Sequence, residues 1–230
     1  MDQIKQHFEE EAQQFDHIIQ QLIPYYDEML RALISAIPFE ADSPIQVLDL
    51  GCGTGTLAQH ILQAFPRAHI TCLDFSEQMI GMAQVKLADV DRVSYQVQDF
   101  RDYAPANGYH AIVSSLALHH LITDEEKQAF YQKVHQGLLP GGCFYNADVV
   151  LGASQHLQSA YIQRWKAFMN RQIAQDEIEN IWLRKYAEED RPAQLVEQLD
   201  WLSTISYTSV DVLWKYYNFA VYGGVKSRDS

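Results

Sequence analysis

The chain has 230 residues, of which 47% are hydrophobic and 20% are charged, and its formal net charge at pH 7 is −13. These values predict one globular domain with a full core. The negative charge disfavours nucleic acid as a partner, because phosphate binding needs a basic surface. Three scattered cysteines indicate a reducing compartment. No apolar run approaches the roughly 18 residues of a membrane-spanning helix, and no signal peptide is recognisable. We therefore expect a soluble, cytoplasmic protein with no membrane partner.

Two helices are predicted within residues 1–40. Apolar residues recur at helical spacing over residues 3–22, and Pro24 suits the first turn of a second helix that Pro38 ends. Tyr25 and Tyr26 lie ahead of the first strand and are candidates for substrate binding. Packing of these aromatic rings between helix and sheet is an equal alternative.

A strand, a glycine turn and a helix are predicted for Ile45–Ala58. The apolar run ends in glycines at alternate positions, Gly51, Gly53 and Gly55, with Asp49 two residues ahead. This is the opening unit of a doubly wound α/β nucleotide-binding fold, in which glycine lets the backbone approach a ligand. The G-x-G-x-G spacing differs from the G-x-G-x-x-G of dinucleotide-binding proteins. A tight turn that binds no ligand is the alternative.

The second strand is predicted at Ala68–Asp74 and ends in a carboxylate. Asp74 at that end is placed to accept hydrogen bonds from the ribose hydroxyls of an adenosine, or else to cap the next helix. Phe75 follows directly as a further cofactor-binding candidate. Met79 lies in the first helical turn, where it faces either an adenine or the core.

The third strand is predicted at Arg92–Val97, followed by Asp99 and Phe100. An acidic residue at a strand end can accept from the adenine amine, and the backbone N–H of its neighbour can donate to the adenine ring. A turn-forming Asp is the alternative.

The fourth strand is predicted at Tyr109–Leu118, directly before His119 and His120. Two adjacent histidines cannot both face one ligand from a regular element, so we expect no metal site here. Thr123 begins a capping box for the next helix. That helix should stop at Gly137-Leu-Leu-Pro-Gly-Gly, ahead of a fifth strand at Cys143–Val150.

Residues 151–190 do not continue the strand–helix repeat. Two helical segments there carry Trp165 and Trp182, which either line a substrate pocket or anchor a lid over the strand ends. Pro192 should start a last helix, and Val210–Trp214 with Phe219–Tyr222 should form a closing hairpin.

The motif Asp-Leu-Gly-Cys-Gly-Thr-Gly, the acids Asp74 and Asp99 and the Leu-Leu-Pro-Gly-Gly turn, in that order, resemble the class I S-adenosylmethionine (SAM) methyltransferases. The resemblance implies a Rossmann-like, doubly wound α/β fold with a mostly parallel seven-stranded sheet, an antiparallel C-terminal hairpin and a helical lid, all in one domain over residues 1–230. It also implies that main-chain carbonyls near Ser114 and Ser115 hold the amino group of SAM and that residues near His119 face the methyl group.

A narrower resemblance concerns Phe15-Asp16, Pro24-Tyr25-Tyr26, Trp214 and Asn218-Phe219, which look like the carboxy-SAM synthases of tRNA wobble-uridine modification. Those synthases hold the cofactor carboxylate with an arginine near the last helix. Residues 193–213 here contain neither Arg nor Lys, which favours ordinary methyl transfer.

The sequence therefore predicts SN2 methyl transfer from SAM to a small-molecule acceptor, with S-adenosylhomocysteine as product. His119 or His120 is the candidate base for an oxygen or nitrogen acceptor. A carboxy-SAM synthase and a catalytically silent SAM-binding protein are the alternatives. The sequence is compatible with a homodimer.

Overall fold

The structure is a computed structural model and describes residues 14–106 and 108–228. The predicted helix over residues 3–22 begins outside these ranges, and its part within them, residues 14–22, is helical and is called α1. The other helices of the first half are α2 Tyr26–Ser35, α3 Thr56–Ala64 and α4 Glu77–Lys86. Those of the second half are α5 Asp124–Gly137, α6 Gln155–Met169, α7 Gln175–Glu177, α8 Leu183–Glu189 and α9 Leu195–Thr204.

Seven strands form one sheet: β1 Gln46–Leu50, β2 His69–Asp74, β3 Val93–Val97, β4 Tyr109–Ser115, β5 Leu138–Val149, β6 Tyr207–Tyr216 and β7 Phe219–Lys226. Their order is β3-β2-β1-β4-β5-β7-β6. The first five are parallel, whereas β7 runs antiparallel to both β5 and β6. The predicted doubly wound sheet with an antiparallel hairpin is confirmed.

The strand order reverses between β1 and β4, which makes their carboxyl ends a topological switch point. In open α/β sheets ligands bind in the crevice outside such a point. Strand β1 is buried from Val47 to Leu50, and its alternate side chains enter two separate hydrophobic clusters. Val47 packs with α2 and α3, whereas Leu48 and Leu50 pack with α5 and α9. The sheet is thus covered on both faces.

Several boundaries differ from the sequence prediction. Strand β4 ends at Ser115 rather than Leu118, because Leu116 takes a left-handed conformation (φ 54°) and a 3-10 turn follows at Leu118–His120. The predicted turn after Gly137 is already the start of β5. Between the pairs Tyr109–Leu138 and Ala111–Cys143 the extra residues of β5 bulge out of register.

The last helix begins at Leu195, three residues after the predicted Pro192, and the hairpin strands are longer than the predicted Val210–Trp214 and Phe219–Tyr222. Capping by Thr123 is confirmed, since its side chain accepts from the backbone N–H of Glu126.

The 151–190 insertion is largely helical as predicted, and its side chains line a cavity together with Val149 at the end of β5 and His119 after β4. A π-helical turn at Ile178–Trp182 joins α7 to α8. The Trp165 indole N–H donates to the Leu22 carbonyl at 2.7 Å, so α6 is tied to the end of α1. The Trp165 ring also packs edge-on against Phe219 and Tyr186. Within the described part of the chain, no helix has the length and apolar character to span a membrane.

Candidate active site

The glycine turn after β1 is shaped by close contacts on one side and open space on the other. Gly51 (φ 68°) lies so near Ala117 that an added Cβ would be 2.4 Å from the alanine Cβ. Gly53 (φ 52°) has no atom within 4 Å of such a Cβ and faces a cavity. An L side chain at either φ is strained. Gly55 instead packs against Ala83 of α4 and against Leu87, the residue that follows α4.

A cavity of about 310 Å³, called the first cavity, lies outside the ends of β1, β2 and β4. Several predicted cofactor residues and one predicted substrate residue line it: Tyr26, Asp49, Gly51, Gly53, Asp74, Phe75, Met79, Phe100 and Ser115. Gly55, Asp99 and Ser114 do not. The Ser114 hydroxyl donates to the Leu50 carbonyl at 2.8 Å, so this side chain packs inside the sheet.

Asp49 is a buried carboxylate without a hydrogen-bond partner among the described residues. Burial, followed by repulsion from Asp74, raises the pKa of its carboxyl group to about 7, and the nearby Ala58 backbone N–H offsets only part of this rise. An orphaned carboxylate on a cavity wall is costly and indicates a missing polar or cationic partner.

Asp74 occupies the end of β2 and is 7% exposed. Its two oxygens accept from the backbone N–H groups of Gly53 and Ser76, each at 2.9 Å. Ser76 itself caps α4 by accepting from the Met79 N–H. Asp74 therefore joins the glycine turn to the next helix, whether or not it also binds a ribose.

Asp16 connects helix α1 to the glycine turn and to α3 and α4 through hydrogen bonds and an ion pair. The Asp16 carboxylate accepts from the hydroxyls of Thr54 at 2.7 Å and Thr56 at 3.1 Å. Lys86 of α4 pairs with the same carboxylate at 2.6 Å and also donates to both threonines. This partly buried network covers one side of the first cavity.

A second cavity of about 720 Å³ adjoins the first and lies beneath the 151–190 insertion. Both predicted tryptophans, Trp165 and Trp182, line it, together with Tyr186 of α8. The two cavities share a largely apolar wall: Phe15, Ile19, Phe75, Met79, Phe100, Leu116 and His120. Tyr25 lines neither cavity, because its ring packs edge-on against Tyr216 at 4.9 Å, which does not support the predicted substrate contact.

The Asp99 side chain lines the second cavity, not the first, and is paired with Arg101. Its carboxylate forms an ion pair with Arg101, with the closest N–O distance 2.5 Å, and the hydrogen bond to Arg101 lowers the Asp99 pKa. Phe100 is 7% exposed and packs against Phe130. Phe100 lines both cavities, whereas the Asp99 side chain lines only the second cavity.

The prediction that adjacent histidines cannot both face one ligand applies to a regular element, and His119 and His120 both approach the carboxylate of Asp190. They lie in a 3-10 turn, not a regular strand, and their ring centroids are 4.2 Å apart. His119 Nε2 is 3.5 Å and His120 Nδ1 is 3.9 Å from Asp190 Oδ1. The other ring nitrogen of His119, Nδ1, is 2.5 Å from Asp148 Oδ1.

The two histidines have opposite pKa shifts. Burial lowers the pKa of His119, but Asp148 and Asp190 outweigh this effect and raise it overall. Burial, with a smaller contribution from His119, lowers the pKa of His120. Neither acid is predicted as a site residue from the sequence: Asp148 is recognisable as a charged residue in a buried strand, whereas Asp190 ends the insertion without any local signal.

The chain is similar in sequence to known methyltransferases and to a carboxy-SAM synthase. Residues 47–142 match the family model described as "Methyltransferase domain". The chain is 25% identical over 221 residues to a carboxy-S-adenosyl-L-methionine synthase of Trichodesmium erythraeum (strain IMS101), covering 93% of this chain and 85% of the relative. It is 34% identical over 90 residues to a malonyl-[acyl-carrier protein] O-methyltransferase of Bacillus anthracis, covering 38% of this chain and 33% of that relative.

Among solved structures, the chain resembles the DhpI-SAM-HEP complex with a TM-score of 0.61 at 20% identity, over 95% of this chain and 94% of that one. This likeness concerns the fold alone. The family match, the relatives and the ordered motifs together support a class I SAM-dependent methyltransferase, with a resemblance to the carboxy-SAM synthase branch.

Proposed function

We propose that the chain binds SAM in the first cavity and transfers its methyl group to a small-molecule acceptor in the second. The observation that carries this proposal is that two cavities adjoin at the switch point of the sheet and share one wall. The wall they share includes His120, the predicted base, and Leu116 next to the Ser115 segment, besides the predicted adenine contacts Met79 and Phe100. A cofactor and an acceptor in these two spaces would meet there.

The charge of the first cavity fits SAM better than a dinucleotide. Asp49 and Asp74 line it, and no Lys or Arg does so among the described residues. SAM carries a net positive charge, whereas NAD carries a negatively charged pyrophosphate. Opposite charge in a partly buried site is favourable and like charge is not. The unpaired Asp49 carboxylate and the open space at Gly53 both support a cationic ligand that lies against the turn.

Each wall of the first cavity suits one part of SAM. Asp74 would accept from the ribose hydroxyls, and Phe75, Met79 and Phe100 would cover the adenine. The amino acid end would face Asp49 and the Ser115 segment at the end of β4. Bound SAM supplies a methyl group activated on sulfonium, ready for SN2 attack.

The contribution of the chain is alignment and exclusion of water. Helix α1 covers the first cavity through Asp16, and the 151–190 insertion covers the second with Trp165 and Trp182. We assign the insertion as a lid within a single domain. His119 and His120 form a polar end of the acceptor cavity, where the predicted base for an oxygen or nitrogen acceptor would act.

Calorimetric titration tests the cofactor assignment. SAM should bind in the micromolar range, at roughly −7 to −8 kcal/mol, and NAD should bind much more weakly. Formation of S-adenosylhomocysteine with a panel of small acceptors then tests transfer. Equal or tighter binding of NAD would contradict the proposal, and SAM binding without any product would favour a catalytically silent protein.

Carboxy-SAM synthesis is the second candidate, because that relative covers nearly the whole chain. In this reaction prephenate donates a carboxyl group to SAM. Arg101 and Lys185 line the second cavity and offer cations for a carboxylate, although Arg101 is already paired with Asp99. Mass analysis of the co-purified cofactor separates the candidates, since carboxy-SAM is heavier than SAM.

A further inference from the structure

We propose that His119, His120 and Asp190 form a binding site for one divalent first-row transition metal ion on the wall of the second cavity. The ligand atoms are His119 Nε2, His120 Nδ1 and a carboxylate oxygen of Asp190. These atoms lie within 4.8 Å of one another. Two imidazoles and one carboxylate are a donor set that suits zinc, iron and cobalt.

The separations between these atoms are close to those that a metal requires. With bonds of about 2.0–2.1 Å, two ligand atoms of a tetrahedral ion lie about 3.3 Å apart. The observed distances to Asp190 Oδ1 are 3.5 Å from His119 and 3.9 Å from His120. All three ligand atoms lie within 4.8 Å of one another, so binding needs side-chain shifts of up to about 1.5 Å to reach the tetrahedral separation.

Asp148 orients His119 as the outer carboxylate of a metal site does. Histidine ligands commonly donate their second ring N–H to a carboxylate, which fixes the ring and its tautomer. Asp148 Oδ1 lies 2.5 Å from His119 Nδ1, and Asp148 Oδ2 accepts from the His119 backbone N–H at 3.0 Å. With the proton held on Nδ1, Nε2 is left to face Asp190.

The charges at the site are two acids and one buried lysine. Asp148 and Lys127 are 2% and 3% exposed, and the Lys127 ammonium attracts the Asp148 carboxylate. The Asp190 side chain is 19% exposed and has His119 and His120 as its basic neighbours, so a divalent ion between the imidazoles would pair with the Asp190 carboxylate. The His120 side chain is 48% exposed, so the site opens toward the cavity, where free coordination positions would remain.

This inference rests in part on the proposed function, because such an ion would lie in the acceptor cavity. It would favour acceptors that coordinate a metal through a hydroxyl or thiol, whose pKa the ion lowers. Metal binding itself requires neither SAM nor acceptor, so it can be measured separately.

The test uses the untagged full chain, stripped with a chelator and dialysed. Co²⁺ is titrated while visible d–d absorption is recorded, and Zn²⁺ is then added as competitor. We expect one Co²⁺ per chain, displaced by Zn²⁺. Asp190→Asn and His120→Gln should each weaken binding at least about tenfold, and Asp148→Asn about 10- to 100-fold.

Asp200→Asn and His156→Gln are matched controls, since both residues are exposed and lie outside the cavity. Circular dichroism and SAM titration verify that each variant is folded. Absence of stoichiometric binding, or equal binding by the ligand variants, overturns the proposal and leaves His119 as a hydrogen-bonded partner of Asp148 only. Metal binding without SAM binding would instead refute the proposed function alone.

Discussion

At the scale of single residues, Asp49 connects stability with ligand binding. Its folded pKa of about 7 lies above the ordinary value of 3.8, so the folded state holds the proton more tightly than the unfolded state. The resulting stability is present at about pH 4 and is lost as the pH rises toward 7. One pKa unit corresponds to about 1.4 kcal/mol, which places the full loss on the order of 4 kcal/mol.

Replacement of Asp49 should therefore have opposite effects on the free energy of unfolding and on SAM affinity. Asp49→Asn should raise the free energy of unfolding of the ligand-free protein by about 1–3 kcal/mol at pH 8 and by less at pH 5, because only the ionised carboxylate is penalised. The same variant should bind SAM at least about tenfold more weakly. Urea unfolding at both pH values with calorimetry measures both effects, and a variant destabilised at pH 8 would contradict the argument.

Asp74 should contribute more to SAM affinity than Asp99 does. Asp74→Ala removes a charged acceptor and should cost about 1.5–3 kcal/mol of SAM affinity, roughly a 10- to 150-fold rise in Kd. Some stability should also be lost, since the N–H groups of Gly53 and Ser76 lose their acceptor. Asp99→Ala is the comparison and should change Kd little. Unchanged SAM affinity in folded Asp74→Ala would leave Asp74 as only a structural acceptor.

At the scale of elements, the contact between α1 and the glycine turn depends on one carboxylate. Asp16→Asn removes the charge that pairs with Lys86 and weakens the acceptor for Thr54 and Thr56. We expect faster hydrogen exchange over residues 14–22 and a several-fold weaker SAM affinity, because the cover of the first cavity opens more often. Glu28→Gln on α2 is the exposed control. Equal exchange in both variants would show that apolar packing alone holds α1.

At the scale of the whole molecule, α1, α2 and the 151–190 insertion should close together over the ligand. Hydrogen exchange with and without S-adenosylhomocysteine tests this closure. Protection should rise over residues 14–37 and 151–190 as well as at the glycine turn, because Trp165 links α6 to the end of α1. Protection confined to the turn and the early strand ends would refute the lid and favour an open site for a macromolecular acceptor.

The sequence alone determined the parts of the protein that depend on local periodicity and turn chemistry. Alternating glycines, strand-end acids and the Thr123 capping box each act over a few residues, so the strands, their parallel order and the first cavity could be predicted from them. The positions of Asp74 and Met79 on that cavity followed from the shared carboxyl edge of parallel strands.

Only the tertiary structure decided which distant side chains meet. Asp148 and Asp190 converge on His119 from a strand and from the end of the insertion, and no local pattern couples these positions. Ser114 points into the sheet and Tyr25 toward Tyr216, because strand register and helix packing, rather than residue type, choose the direction of a side chain. The left-handed Leu116 ends β4 early and turns both histidines toward one carboxylate, which is the arrangement on which the metal proposal depends.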